Sequence, residues 1–462
     1  MLAKFKKKYI GDWDFYQKYL LLAIPMILQN AITNLVSFLD NIMVGQLGTE
    51  QMSGVAIVNQ LIFVYNLAIF GAVSAASIFG AQYFGKGNHK GHMYSFRFKL
   101  YATLLVTGGA ILLFLTKGSA LISLYLTDTV GNGATDLALQ YGLEYLAIMM
   151  VGLIPFAVNQ SYATNIKETG QTFIPMLASF VAVGTNAILD YLMIFGIGPF
   201  PELVVQGAAL ATVIARYIEA LIVVIWAHIH RGKNRYLEGA YTGFGIPLAE
   251  LKAILIKGFP LMMNEVLWAA GMTTVTQCYS VRGLNVVAGL NIASTITNLF
   301  NIVYLQLGSC ISIVVGQYLG AGKLEDAKDA DNKMIVFSVF CCVIMAALMF
   351  VVGGFFPGIY NTTEEIRELA TSFIAVSAII MPFCAFSHAS YFTLRSGGKT
   401  VVTFLFDSVF TWVIVVPAAY LLAHFTGLGI VSIYFLVQGT ELIKVIIGYL
   451  MVKSNVWVVQ MV

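Results

Sequence analysis

Ser77-Ile-Phe-Gly-Ala-Gln82-Tyr83-Phe-Gly85 recurs about 235 residues later as Ser312-Ile-Val-Val-Gly316-Gln317-Tyr318-Leu-Gly320. That recurrence governs how the rest of the chain is read. Working outward, Pro25 keeps the same offset to Pro260. Ser161-Tyr-Ala-Thr164 with Gly170-Gln-Thr172 returns as Ser390-Tyr-Phe-Thr393 with Gly398-Lys-Thr400. The chain therefore holds two copies of one unit. The acids are not doubled: Asp40 of the first copy falls opposite Val275 of the second.

Composition says what kind of unit is repeated. With 59% hydrophobic and 11% charged residues, the chain departs from soluble domains, in which about a quarter of residues are charged. A helix needs about 20 apolar residues to cross hydrocarbon. Twelve such runs lie near 18–43, 53–81, 95–116, 137–163, 172–196, 204–228, 256–280, 286–315, 333–356, 368–393, 401–424 and 429–452, six in each copy. The reading is an all-α polytopic membrane protein. Two membrane repeats enclose a substrate path between them, because rocking one bundle against the other exposes a midplane site to each side in turn.

The formal charge of +3 is small, but the cations are placed unevenly. Lys4, Lys6, Lys7 and Lys8, Lys86 with Lys90, Arg231 with Lys233 and Arg235, Lys323 with Lys328, and Arg395 with Lys399 all fall toward one face; Lys117, Arg282 and Arg367 fall toward the other. Positive charge in short loops marks the cytoplasmic side, so both termini are expected there, in a multi-pass protein of the cell membrane. The first span lacks the short apolar core and small-residue cleavage site of a signal peptide and is expected to stay attached. The most polar internal stretch, around 229–252, reads as a linker between an N-lobe at 1–228 and a C-lobe at 253–462. Its basic character suits anionic lipid headgroups, and as a loop it would let the halves move semi-independently.

Several chemistries find no support. Cys278, Cys310, Cys341, Cys342 and Cys384 are odd in number and lie in apolar settings, which argues against a disulfide framework or a zinc site. His89 with His92 and His228 with His230 lack the carboxylates or thiolates of a metal site. The glycine- and lysine-bearing loops at Gly85 and Gly320 do not match the phosphate-binding loop of ATPases. No cofactor and no nucleic acid are expected, and the chain reads as a monomer. Energy for any pumping then comes from an ion gradient or from the substrate's own gradient.

Acids inside spans are costly and mark functional sites by default. Asp40, Glu144, Asp190, Glu219, Glu265, Asp407 and Glu441 are the candidates. At about 1.5 Å per residue, Asp40 lies about 30 Å along the first span and Asp190 about 27 Å along the fifth, both in the outer half. Thr212, about 12 Å into the sixth span from its outer end, reaches the same level. Asn186 and Asp190, four residues apart, face the same way. Two carboxylates, an amide and a hydroxyl would suit a coupling ion: a proton held by one of two mutually repelling acids, or a sodium ion in an oxygen-rich shell. In the second copy Glu265 and Asp407 each lie about 12 Å inward from the basic face, a candidate substrate or proton site. Local pairings compete with such roles: Glu441 with Lys444, Glu219 with Arg216, Asp407 with Ser408. His388, Met262, Met263 and Trp268 are candidates for an apolar pocket.

With these residues in place, the sequence resembles the multidrug and toxic compound extrusion (MATE) family over essentially its whole length. The matching pieces are Pro25 followed by Asp40-Asn-Ile-Met-Val-Gly45-Gln-Leu-Gly48, the Asn186-x-x-x-Asp190 pair, Gly207-Ala-Ala-Leu-Ala-Thr212 and the doubled segment around Gln82-Tyr83 and Gly316-Gln317-Tyr318. The resemblance implies two pseudo-symmetric six-helix lobes around a central cavity. It also implies efflux of organic, often cationic, small molecules in exchange for protons or sodium ions. By the same resemblance the coupling-ion site maps onto Asp40, Asn186, Asp190 and Thr212, and Pro25 marks a bend in the first helix. Some members carry an acid pair on the seventh and tenth helices. Here Glu265 stands for the first, and Asp407 on the eleventh span substitutes for the second. A lipid-linked-precursor flippase is the alternative, and a membrane-embedded enzyme a more distant one.

Overall fold

The computed structural model describes residues 9–45, 48–126 and 134–462; the side chains of 36–42, 45 and 134 lie outside that description. The described residues run through twelve long helices. They are α1 (Trp13–Gly45), α2 (Thr49–Lys86), α3 (His89–Ser123), α4 (Ala134–Met149 and Leu153–Glu168, joined by one 3₁₀ turn), α5 (Phe173–Ile194) and α6 (Val204–Ile229). After the connector come α7 (Leu248–Ser280), α8 (Leu284–Gly320), α9 (Leu324–Gly353), α10 (Glu364–Ser396), α11 (Thr400–Phe425) and α12 (Ile430–Lys453). A helix satisfies its backbone donors and acceptors within itself, the condition for crossing hydrocarbon. Eleven of the twelve are long and apolar enough by their described residues alone, and α1 spans 33 residues. Most run several residues past the apolar stretches that announce them, because polar end turns continue beyond the hydrocarbon.

The chain divides into two compact units, one of residues 1–27, 81–88 and 253–462, the other of 28–80 and 89–252. The first turns of α1 and the last of α2 are thus grouped with the second copy. Side chains in the larger unit give the reason. Tyr19 donates its hydroxyl to the Leu307 carbonyl at 2.8 Å. Tyr19, Ala23 and Met26 share one apolar cluster with Ile311, Val315, Met334 and Trp457. A second cluster joins α7, α8, α10 and α12 through Val275, Phe300, Phe373 and Ile433.

The doubled Gln-Tyr-x-Gly segment has a physical meaning in this unit. A side chain at Gly85 would collide with the backbone of Gln317, and one at Gly320 with the backbone of Gln82. The two copies of the motif therefore pack on each other reciprocally where α2 meets α8, the close approach that small residues permit between membrane helices. Each motif then turns on a glycine with φ of +73°, Gly87 and Gly322, a conformation that other residues rarely adopt.

A strap completes the junction. After α12, residues 455–462 run back over it: Gln82 donates to the carbonyls of Ser396 (2.9 Å) and Val459 (3.2 Å) and accepts from the Met461 amide (2.8 Å). Gln460 donates to the Gly320 carbonyl at 3.0 Å. Trp457, 1% exposed, anchors the strap.

In the smaller unit, Val58, Ile69, Ile122 and Leu153 lie at the centre of one core. Tyr65 crosses it to bond Thr107 at 2.8 Å and the Leu153 carbonyl at 3.0 Å. The connector after α6 is not a loose tether. Tyr236, Leu237 and Ala240 are buried with Phe96, Tyr162 and Ile166. Arg97 on α3 clamps it by donating to the carbonyls of Gly239 (2.6 Å), Gly245 (2.7 Å) and Ala240 (2.9 Å).

Candidate functional site

Within the smaller unit, α5 and α6 form a polar ladder. Ser179, Asn186 and Asp190 are spaced by seven and four residues, so they share one helix face; they are 4%, 6% and 1% exposed. Ser179 donates to Glu219 on α6 and accepts from Gln29 Nε2 at 2.7 Å. One level further along, Asn186 Nδ2 donates to Thr212 Oγ1 at 3.5 Å, a long and weak bond. Both rungs run between the same antiparallel helices in one register. Extending that register to Asp190 reaches Ala208, with Gly207 beside it. A methyl group at Gly207 would sit 2.7 Å from the Met193 carbonyl, so small residues bring the helices together where the acid is buried.

Of the residues singled out in the sequence, Asn186 and Thr212 thus touch, and Asp190 continues their face. Asp40 lies on α1, but its side chain falls outside the described residues, as do Lys4, Lys6, Lys7 and Lys8. Pro25 is buried inside α1, two residues before the larger unit's first segment ends at Ile27. Among the described residues Glu219 forms no ion pair with Arg216; it belongs to the ladder. Arg216 lies over the Phe156 ring, 5.1 Å from its centroid. Sequence reasoning missed Ser179 and Gln29, whose only signal was polarity at helical spacing from Asn186.

The larger unit carries a second polar cluster. α11 contains two consecutive π-helical turns, Leu405–Val409 and Thr411–Val415, a wider winding that recurs at functional positions. Asp407 lies on the first. Lys444 on α12 pairs with Asp407 at 2.6 Å, and Asn264 on α7 donates to the other carboxylate oxygen at 3.0 Å. Ser408 bonds Asn264 rather than Asp407, donating to its side-chain oxygen at 2.8 Å and its carbonyl at 2.7 Å. The local pairing expected between Glu441 and Lys444 does not form, because Lys444 reaches across to another helix. Glu441 Oε1 is buried without a hydrogen bond. Glu265 makes no ion pair among the described residues, yet lies close enough to Asp407 and Arg395 to feel both charges. His388 packs on Tyr304 and bonds the Cys384 carbonyl. Met262 and Trp268 are 39% and 38% exposed on α7.

A third group, absent from the reading of mid-span acids, sits at the end of α3 and α4. Lys99, fully buried, pairs with Glu168 at 2.5 Å and bonds Asn165, while His92 Nε2 lies 3.3 Å from Glu168. The missing side chain of Gly80 makes room for Glu168. Burying two opposite charges together avoids the cost of burying either alone. No group of three or more metal-ligating side chains occurs among the described residues.

Known proteins bear on this arrangement. The MatE family profile matches residues 25–192 and again 260–421, once in each copy. A probable multidrug resistance protein NorM of Thermotoga maritima is 23% identical over 413 residues, covering 89% of this chain and 86% of its own. The probable multidrug resistance protein YoeA of Bacillus subtilis is 21% identical over 90% of this chain and 88% of its own. Among solved structures, a MOP superfamily transporter from Pyrococcus furiosus superposes with a TM-score of 0.85 at 20% identity, over 96% of both chains. The outward-facing conformation of a multidrug resistance MATE family transporter matches equally well. At that identity the likeness concerns the fold: twelve membrane helices in two lobes.

Proposed function

Because the chain belongs to the MATE family of membrane transporters, whose members are not enzymes, we propose that it exports organic small molecules, cationic or amphipathic, by antiport. Protons or sodium ions are the coupling ion, and access alternates between the two sides of the membrane. The observation that carries the reading is the α5–α6 ladder, which ends in an aspartate only 1% exposed inside an apolar helix. A membrane protein keeps such an acid, at a cost of a few kcal/mol, where it serves an ion or a substrate. Asp40, Asn186, Asp190 and Thr212 form the coupling site. Glu265 and Asp407 tune substrate range, and Pro25 permits α1 to bend.

In this reading the protein sits in the cell membrane as a monomer in contact with lipid, both termini cytoplasmic. Residues 1–228 and 253–462 serve as its lobes, with 229–252 as linker. The flippase alternative gains little from the mid-span cation Lys444, whose charge Asp407 already neutralises.

Proteoliposomes loaded with a cationic dye test the proposal, with pH and sodium gradients imposed separately. Wild type is expected to transport under one of them. Asp40→Asn and Asp190→Asn should each abolish gradient-driven movement at matched insertion. If sodium is the ion, Asn186→Ala and Thr212→Ala should weaken its effect about tenfold or more, since each removes a neutral oxygen ligand. Transport indifferent to both gradients, or unchanged in both aspartate variants, would sink the assignment.

A further inference from the structure

The two copies treat one buried acid differently. α9 and α10 correspond to α3 and α4, through the doubled segment that precedes α9 and α3 and the Ser-Tyr-x-Thr motif on α10 and α4. In the first copy Glu168 is neutralised by Lys99, whose counterpart in the second copy is the apolar, buried Met334. The second copy nevertheless buries an acid at this end: Asp331 on α9, 1% exposed. Its Oδ1 accepts a bond from Thr393 on α10 at 2.5 Å, while Oδ2 is buried with no hydrogen bond. No ion pair to Asp331 exists among the described residues.

Asp331 lines a cavity of about 470 Å³ in the larger unit, between α9, α10 and α12. The other charges around it are engaged. Glu325 pairs with Lys328 at 2.7 Å, Asp329 pairs with Lys333 at 2.5 Å, and the Lys453 ammonium lies 5.6 Å from the Tyr449 ring centroid. Asp331 is the acid of the lining that stays outside any ion pair among the described residues, in a chamber that also presents Ile335, Phe386 and Tyr449. A volume in this range takes a small organic ligand, and aromatic walls suit an organic cation.

We propose that this cavity is a second binding site, for a primary organic ammonium, distinct from the polar ladder. The ligand's N–H donates to the Asp331 carboxylate, turned into the chamber by a rotation of its side chain, as Lys99 donates to Glu168 in the first copy, and its apolar body rests on Phe386. The proposal rests on the reading of the chain as an exporter of organic cations, for which this chamber, at the basic end of the helices, is a collecting site.

A diazirine-bearing phenethylamine, photolysed with the purified full chain in detergent and no ion gradient, tests it. Label is expected on α9 and α12 near Ile335 and Tyr449, displaced by unlabelled phenethylamine. Asp331→Asn should reduce that labelling about tenfold or more, the loss of one charge-assisted hydrogen bond. Val336→Trp, which narrows the chamber and leaves Asp331 in place, should do the same and guards against misfolding of the first variant. Wild-type labelling in a folded sample of either variant, or no label on α9 and α12 in the wild type, overturns the site. A proton-holding role for Asp331 alone would give undiminished labelling in Asp331→Asn. Because no gradient is used, labelling that persists beside gradient-indifferent transport would discard the antiport reading and leave the site standing.

Discussion

At the scale of single residues, the decisive fact is that one lysine and one aspartate inside the spans are matched across helices. Lys444 and Asp407 belong to α12 and α11, and their side chains are 8% and 15% exposed. Removing one partner strands the other, which costs about 3–5 kcal/mol, whereas removing both charges together is close to neutral. Lys444→Met is therefore expected to lower the apparent melting temperature of the detergent-purified protein markedly. Adding Asp407→Asn to that variant should recover most of the loss. Equal destabilisation by the single and the double substitution would show that the pair holds nothing together. Sequence proximity pointed to Glu441 as the partner of Lys444, because residues three apart share a helix face. That rule ranks local neighbours and is blind to the acid that another helix brings closer.

At the scale of elements, glycine discriminates between crossings and surfaces. Gly320→Ala would drive a methyl group into the backbone of Gln82, which has no flexible end to move aside. Overpacking of this kind costs about 1–3 kcal/mol. Gly109, inside α3, has nothing within 4 Å of where its Cβ would stand, and alanine there should be neutral or stabilise by up to about 1 kcal/mol. Thermal unfolding of the two variants side by side checks the contrast; like behaviour would refute the close crossing. Much of this level was legible beforehand. Twelve apolar runs announce twelve helices, because hydrocarbon admits no other open-ended way to satisfy the backbone, and the Gln-Tyr-x-Gly repeat was visible as a repeat. Its use was not. Nothing in hydropathy says that Gln82 also collects the strap, since the partners Ser396, Val459 and Met461 are distant in sequence. The ladder was half legible: Asn186, Asp190 and Thr212 stood out, but Ser179 and Gln29 did not, because the register between two helices is set by packing and not by either helix alone.

At the scale of the whole molecule, the connector between the copies is held down. The sequence reads as a free polar loop, yet Arg97 binds three of its carbonyls and Tyr236 is buried beneath it. Arg97→Gln removes charge-assisted bonds worth about 1.5–3 kcal/mol each when fully formed. Limited trypsin digestion should then cut at Arg231, Lys233 or Arg235 several times faster than in the wild type; an unchanged cleavage rate would mean that the clamp is incidental. The reciprocal contact of Gly85 with Gln317 and of Gly320 with Gln82 carries a consequence for ancestry. In an isologous dimer, residue i of one subunit meets residue j of the other, and j meets i. A half-length forebear with a single set of six helices would have met itself through this same glycine and glutamine. Joined in one chain, such a twofold axis becomes a seam within the molecule, and there the Gln82 side chain holds the strap.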